Sequence, residues 1–197
     1  MSEKRLRMLW GNKAVWCIIL IAVALAASYI RPLRLEEGGE ITFLSMMLVC
    51  LIGYLCGPKT GVAGAFLYAV LKYVLDYCLH VFDASILIPE MWDYLLGLTL
   101  LGICGILTAQ GWSLRPAFLI AVLFRYIESV WNCIYFYYRP DESPLQNLHY
   151  GLVYCGGYIG LELLLSLVIL SIPPVKEAIE FLKQVAGSKY TEDYDFF

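Results

Sequence analysis

The chain has 197 residues, 60% of them hydrophobic and only 16% charged, with a mean hydropathy of +0.70. Soluble domains carry about a quarter charged residues, so this composition excludes an ordinary water-soluble globule and points to lipid as the solvent. The formal net charge of −3, with no basic run outside the apolar stretches, excludes a nucleic-acid partner.

In chain order, a basic start (Lys4, Arg5, Arg7) leads into a first apolar stretch at 13–30. That stretch is longer than the about 7–15 residues of a signal-peptide core, and Tyr29-Ile30-Arg31-Pro32 is not a small-residue cleavage site, so it reads as a retained helix. Further apolar stretches fall at 41–57, 61–80, 91–110, 115–138 and 150–172. Breaker clusters divide them, chiefly Gly57-Pro58-Lys59-Thr60-Gly61, Gln110-Gly111-Trp112-Ser113 and Arg139-Pro140-Asp141-Glu142-Ser143-Pro144. Each stretch runs near the ~20 residues that cross a bilayer, and none alternates. Helices satisfy their own backbone in lipid, so helices are predicted.

The expected fold is therefore an all-α membrane protein, a bundle of six transmembrane helices over residues 1–172, followed by a cytoplasmic helix and tail at 173–197. In the latter, Val175, Ile179, Leu182 and Val185 recur at helical spacing opposite Lys176, Glu177, Glu180 and Lys183, the pattern of a short surface helix. The acidic, aromatic end from Lys189 is expected to be disordered. With the N-terminus inside, Lys4, Arg5, Arg7, Lys13, Lys59, Arg115, Lys176, Lys183 and Lys189 are cytoplasmic against Arg31, Arg34 and Arg139 outside. Positive charge favours the inside, so both termini are expected in the cytoplasm of a multi-pass cell-membrane protein.

Ionisable groups within spans are costly and mark bundle interiors or cavities. Here they are Lys72, Asp76, Asp93, Arg125, Glu128 and Glu162. Lys72 and Asp76, at i, i+4, are spaced to neutralise one another on one helix face; Arg125 and Glu128, at i, i+3, either pair likewise or face a ligand. Asp93 and Glu162 have no such neighbour. Tyr154 and Tyr158 share a face with Glu162 at successive i+4 steps. A carboxylate behind aromatic rings forms a cage for a flat organic cation, and the same spacing equally suits a packed helix interface with the hydroxyls bonded to Glu162. Ala22 and Ala26, Gly53, Gly57 and Gly61, and Gly156 and Gly160 recur at helix-packing intervals. The seven cysteines form no CxxC pair and read as small apolar fillers.

Enzyme signatures are missing: there is no HExxH, only His80 and His149 are present, and there is no Walker A motif. The chain reads as a non-enzyme with no cofactor and no metal site, whose energy, if transport is ATP-driven, comes from a partner.

Two segments carry a family resemblance. Asp93-Tyr94-Leu95-Leu96-Gly97 through Leu101-Gly102-Ile103-Cys104-Gly105, and Tyr154-Cys155-Gly156-Gly157-Tyr158-Ile159-Gly160-Leu161-Glu162, resemble motifs of the substrate-binding S components of energy-coupling factor (ECF) vitamin transporters, in the thiamine-specific branch. Ala26-Ala27-Ser28-Tyr29-Ile30, Gly57 to Gly61 and Arg125-Tyr126 agree more weakly. The resemblance implies a ligand site of Asp93 and Tyr94, of Tyr137 and Tyr150 as stacking groups, and of Tyr154, Tyr158 and Glu162 from the second segment. It also implies that Ser129 and Cys155 stand where the family has a ligand-contacting histidine and asparagine. Gly39 stands near the family's loop tryptophan, and Leu161 stands for its proline. The implied ligand is thiamine or a related heteroaromatic cation. The implied partners are the lipid bilayer, a transmembrane coupling protein docking on the first helix at Ala22 and Ala26, and two cytoplasmic ATPase subunits. Two other readings remain at this point: a stand-alone proton-coupled carrier in which Asp93 or Glu162 titrates, and a structural membrane protein whose buried charges only lock helices together.

Overall fold

The computed structural model describes residues 12–31, 33–34 and 40–187; the basic start, Gly39 and the terminal tail lie outside the described residues. Helix α1 (Lys13–Ser28) starts at Asn12, whose side chain accepts the Ala14 amide at 2.9 Å, filling one of the donors a helix start leaves open. A two-residue antiparallel ladder follows, β1 (Leu33–Arg34) on β2 (Glu40–Ile41), with Leu33 opposite Ile41. This is the one departure from an all-α chain among the described residues. A connection that doubles back must pair its own backbone groups, and the ladder does so.

Because Glu40–Ile41 is spent on the ladder, α2 (Ser45–Cys56) begins later than the apolar run and has only 12 residues. It is entered through Leu44 at φ +62°, with no side-chain cap from that residue. Helix α3 (Pro58–Cys78) follows at once, because Gly57 takes φ +94° and Pro58 occupies the first helical position. The fourth apolar stretch is irregular: a 3-10 turn (Ala84–Ile86), α4 (Leu87–Trp92), a π-helical stretch (Asp93–Leu98) and α5 (Ile103–Ala109). Helix α6 (Leu114–Phe136) and helix α7 (Pro144–Ile169) complete the long elements. Helix α7 starts six residues before the predicted 150, because Ser143 and Gln146 form a capping box around Pro144. Capping chemistry, not hydropathy, sets that end.

Four helices are long and apolar enough to cross a membrane, Pro58–Cys78, Ala84–Ala109, Leu114–Phe136 and Pro144–Ile169, with Lys13–Ser28 and Ser45–Cys56 as shorter apolar helices. Ionisable and polar side chains lie inside, among an apolar core, while large apolar side chains face outward. Lys72, Asp76, Arg125, Asn132 and Glu162 are buried, whereas Ile18, Ile127, Val153, Leu164 and Val168 are more than half exposed. That distribution fits lipid as the surrounding medium.

Helix α2 is the central strut, packed on α1, α3 and α5, with Val49, Cys50 and Ile52 fully buried. It reaches them backbone to backbone. A Cβ added to Gly53 would lie 2.6 Å from the Gly105 Cα, and one on Gly61 would lie 2.5 Å from the Gly53 Cα. Only glycine permits that approach. The predicted surface helix is present as α8 (Pro173–Gly187), with Ile179 and Ala186 buried and the Lys183 ammonium 4.1 Å from the Tyr54 ring centre.

Candidate functional site

Between α6, α7, the irregular fourth segment and the N-terminal end of α2 lies a cavity of about 470 Å³, within the range of small-molecule sites. All nine residues of the sequence-derived ligand set line it: Asp93, Tyr94, Ser129, Tyr137, Tyr150, Tyr154, Cys155, Tyr158 and Glu162.

Its floor is built around Glu162 on α7, a residue only 3% exposed. The carboxylate accepts from the Thr42 hydroxyl, from Ser45 Oγ at 3.1 Å and from the Met46 amide at 2.9 Å. Met46 is the second residue of α2, so its N–H is an open donor of that helix start. Leu44 offers no cap, and Glu162 supplies one from another helix, where the positive end of the helix dipole favours an anion. All three donors are neutral. The tyrosine hydroxyls of α7 are not the partners of Glu162.

Asp93, on the opposite wall, opens the π-helical stretch. Its Oδ1 accepts from Ser129 Oγ at 2.7 Å and its Oδ2 pairs with Arg125 Nη2 at 3.5 Å. The Asp93 side chain keeps 21% of its surface exposed, against 10% for Arg125. Arg125 thus pairs across to Asp93, and the structure gives no ion pair or hydrogen bond between Arg125 and Glu128. Arg125 Nε and Nη1 and Glu128 Oε2 are buried without hydrogen-bond partners, close against Gly97. A π-helical turn carries an extra residue per turn, and here it coincides with the segment that presents Asp93 to α6.

Lys72 and Asp76 do pair on α3, as their spacing suggests, but they do not pair alone. Asp76 also meets Arg31 Nη2 at 3.2 Å and accepts from the Tyr94 hydroxyl at 2.7 Å. Tyr94 therefore braces the wall through Asp76 while its ring faces the cavity.

The aromatic wall follows the i+4 register of α7. The Tyr150 and Tyr154 rings stack, with centres 5.5 Å apart and planes 11° from parallel, and Tyr154 meets Tyr158 edge to face at 5.7 Å. At the loop end, the Arg139 guanidinium sits 4.0 Å from the Tyr150 ring centre. The Tyr150 hydroxyl is buried without a partner. Tyr137, just past α6, donates to Glu90 Oε1 at 3.3 Å.

The sequence reading missed Thr42, Ser45, Glu90, Asn132 and Arg139, all of which line the cavity. Asn132 had a usable signal: it continues the Arg125–Ser129 face of α6, and its amide donates to the Pro89 carbonyl at 2.9 Å. Thr42 and Ser45 had none, since a hydroxyl at a helix start is the commonest of local caps. Ala22 and Ala26 both lie on the exposed face of α1.

A helical bundle with an apolar exterior, buried ionic groups and a solute-sized polar and aromatic cavity defines a multi-pass membrane protein of the transporter class. The thiamine transporter protein family (Thia_YuaJ) matches residues 14–182, and the chain belongs to that family. No curated protein matches the chain.

Proposed function

We propose that the protein is the membrane-embedded substrate-binding subunit for uptake of thiamine or a closely related heteroaromatic cation, energised by a separate ATPase module. The observation that carries the reading is the partly exposed Asp93 carboxylate on the same cavity as the Tyr150–Tyr154–Tyr158 ladder. A thiazolium ring is cationic and flat, so it gains from a carboxylate and from π faces together. An aminopyrimidine adds donors and acceptors, for which the unpartnered Tyr150 hydroxyl is available. Family membership supports thiamine as the substrate.

In this reading the two shorter apolar helices cross with the four longer ones, six crossings in all, and both termini are cytoplasmic. Residues 1–172 then form the binding domain and 173–197 a cytoplasmic appendage. Ala22 and Ala26, exposed on α1, form the docking face for a transmembrane coupling protein, because small residues let a partner helix approach closely.

The test is calorimetric titration of thiamine into the purified protein, with mass-spectrometric identification of any small molecule that co-purifies. Saturable binding supports the reading; no heat and no retained heteroaromatic cation overturn it. Uptake that persists in cells lacking the ATPase module would transfer the protein to the stand-alone carriers.

A further inference from the structure

Where α6 faces the π-helical stretch, a cation and an anion are left idle side by side. Arg125 Nε and Nη1 and Glu128 Oε2 are buried and have no hydrogen-bond partner. Both side chains close over Gly97: a Cβ built there would lie 2.5 Å from Glu128 Oε2 and 3.0 Å from Arg125 Nη1. Arg125 spends only Nη2, on Asp93 at 3.5 Å, which is long beside the about 2.7–2.9 Å of a strong charge-assisted bond. Its side chain is only 10% exposed, so bulk water does not reach the idle N–H groups. The wall therefore sets two carboxylates, Asp93 and Glu128, against one guanidinium that pairs with Asp93. Asp93 and Arg125 line the cavity, whereas Glu128 stands behind them.

We propose that Glu128 is a positioning residue of the ligand site, the second counter-ion of Arg125: when a cationic ligand takes the Asp93 carboxylate, the guanidinium passes from Asp93 to Glu128. The inference rests on the reading of the cavity as a site for a heteroaromatic cation. A cation arriving at Asp93 meets the like charge of Arg125 there, and driving the guanidinium off with no acceptor to receive it would strand a charge inside the bundle. Glu128 removes that cost, because one ion pair is exchanged for another. The charges of the wall then balance, two carboxylates against guanidinium and ligand. Arg125 and Glu128 are neighbours at i, i+3 on α6, so the transfer needs side-chain rotation and no movement of a helix. Gly97 keeps the space between them clear, since any larger residue would put a Cβ against both groups. An uncharged ligand leaves Arg125 on Asp93 and has no use for Glu128.

Thermal unfolding of the full-length protein in detergent, without ligand, tests the handover first. Asp93→Asn and Glu128→Gln alone are each expected to lower the unfolding temperature little, since Arg125 keeps one carboxylate in either. The double variant is expected to lose far more than the two single losses together, because the cation is then stranded. Adding Arg125→Gln to the double variant is expected to recover most of that loss, and this triple variant also decides the matter where the double variant is too unstable to purify. Additive losses, or a triple variant no more stable than the double, overturn the proposal. Calorimetric titration is the second arm: Glu128→Gln is expected to bind thiamine at least about tenfold more weakly than the parent. Its affinity for an uncharged analogue with thiophene in place of thiazolium is expected to be unchanged, and Glu128→Asp to recover part of the thiamine affinity. Equal weakening for both ligands marks a purely structural role and overturns the proposal. The unfolding cycle contains no ligand, so its failure is distinguishable from that of a parent that binds no thiamine, which overturns the substrate reading instead.

Discussion

The floor and the wall of the cavity each hold one carboxylate, and the two are held in opposite ways. Glu162 is almost completely covered and its oxygens are spent on Thr42, Ser45 and the α2 helix start. Asp93 keeps a fifth of its side chain open and holds the Arg125 guanidinium at a loose 3.5 Å. Burial with full hydrogen bonding commits a charge to the scaffold, whereas partial exposure with a long ion pair leaves it able to exchange its partner for a ligand. The two acids look equivalent as charges within apolar spans, yet one anchors a helix and the other faces the solute.

The largest effect is expected from Glu162→Ala, which leaves the Met46 amide without its acceptor and the Thr42 and Ser45 hydroxyls with only each other, at about 1–3 kcal/mol for each buried group left unsatisfied. Thermal unfolding in detergent should show a strongly destabilised bundle, and an unaltered unfolding temperature would remove Glu162 from the scaffold. Glu162→Gln keeps an acceptor for the Met46 amide and should leave the bundle folded, with an unfolding temperature between those of the parent and Glu162→Ala. Asp93→Asn comes next: loss of a charge-assisted contact of about 1.5–3 kcal/mol lowers thiamine affinity about 10- to 100-fold, with unfolding close to the parent's. If this variant melted as Glu162→Ala does, the contrast between floor and wall would vanish. Tyr154→Leu removes ring stacking of about 0.5–1.5 kcal/mol and should weaken binding up to about tenfold, read by the same titration. Smallest is Glu142→Ala. Its pair with Arg139 at 3.3 Å is 34–40% exposed at the loop, so stability should change by less than about 1 kcal/mol in denaturant unfolding.

Much of this was legible in the residues. Apolar length and breaker clusters located the helices, and the 13–30 and 61–80 stretches correspond closely to α1 and α3. The i+4 spacing put Tyr154 and Tyr158 on one face of α7, where their rings meet edge to face, since residues four apart on one helix are neighbours; the Tyr150 ring that stacks on Tyr154 was named through the family resemblance. The same rule foretold Lys72–Asp76 and left Arg125–Glu128 open between pairing and a ligand role. Local spacing makes a pair available, but a closer competitor on another element, here Asp93, takes the guanidinium. The helix starts at Ser45 and Pro144 were misjudged because the ladder and the capping box, not hydropathy, decide them.

The class of the molecule, its helical lipid-facing build and its C-terminal amphipathic helix were determined by the chain itself, because segment length, periodicity and composition are properties of neighbours in sequence. Tertiary structure alone decided what each charge does. Asp93 finds Arg125 and Ser129 at separations of 32 and 36 residues, and Glu162 finds Met46 and Thr42 at 116 and 120. Contacts between such distant residues exist only after the helices have packed, and the glycine junction of α2, α3 and α5 sets how closely they do so.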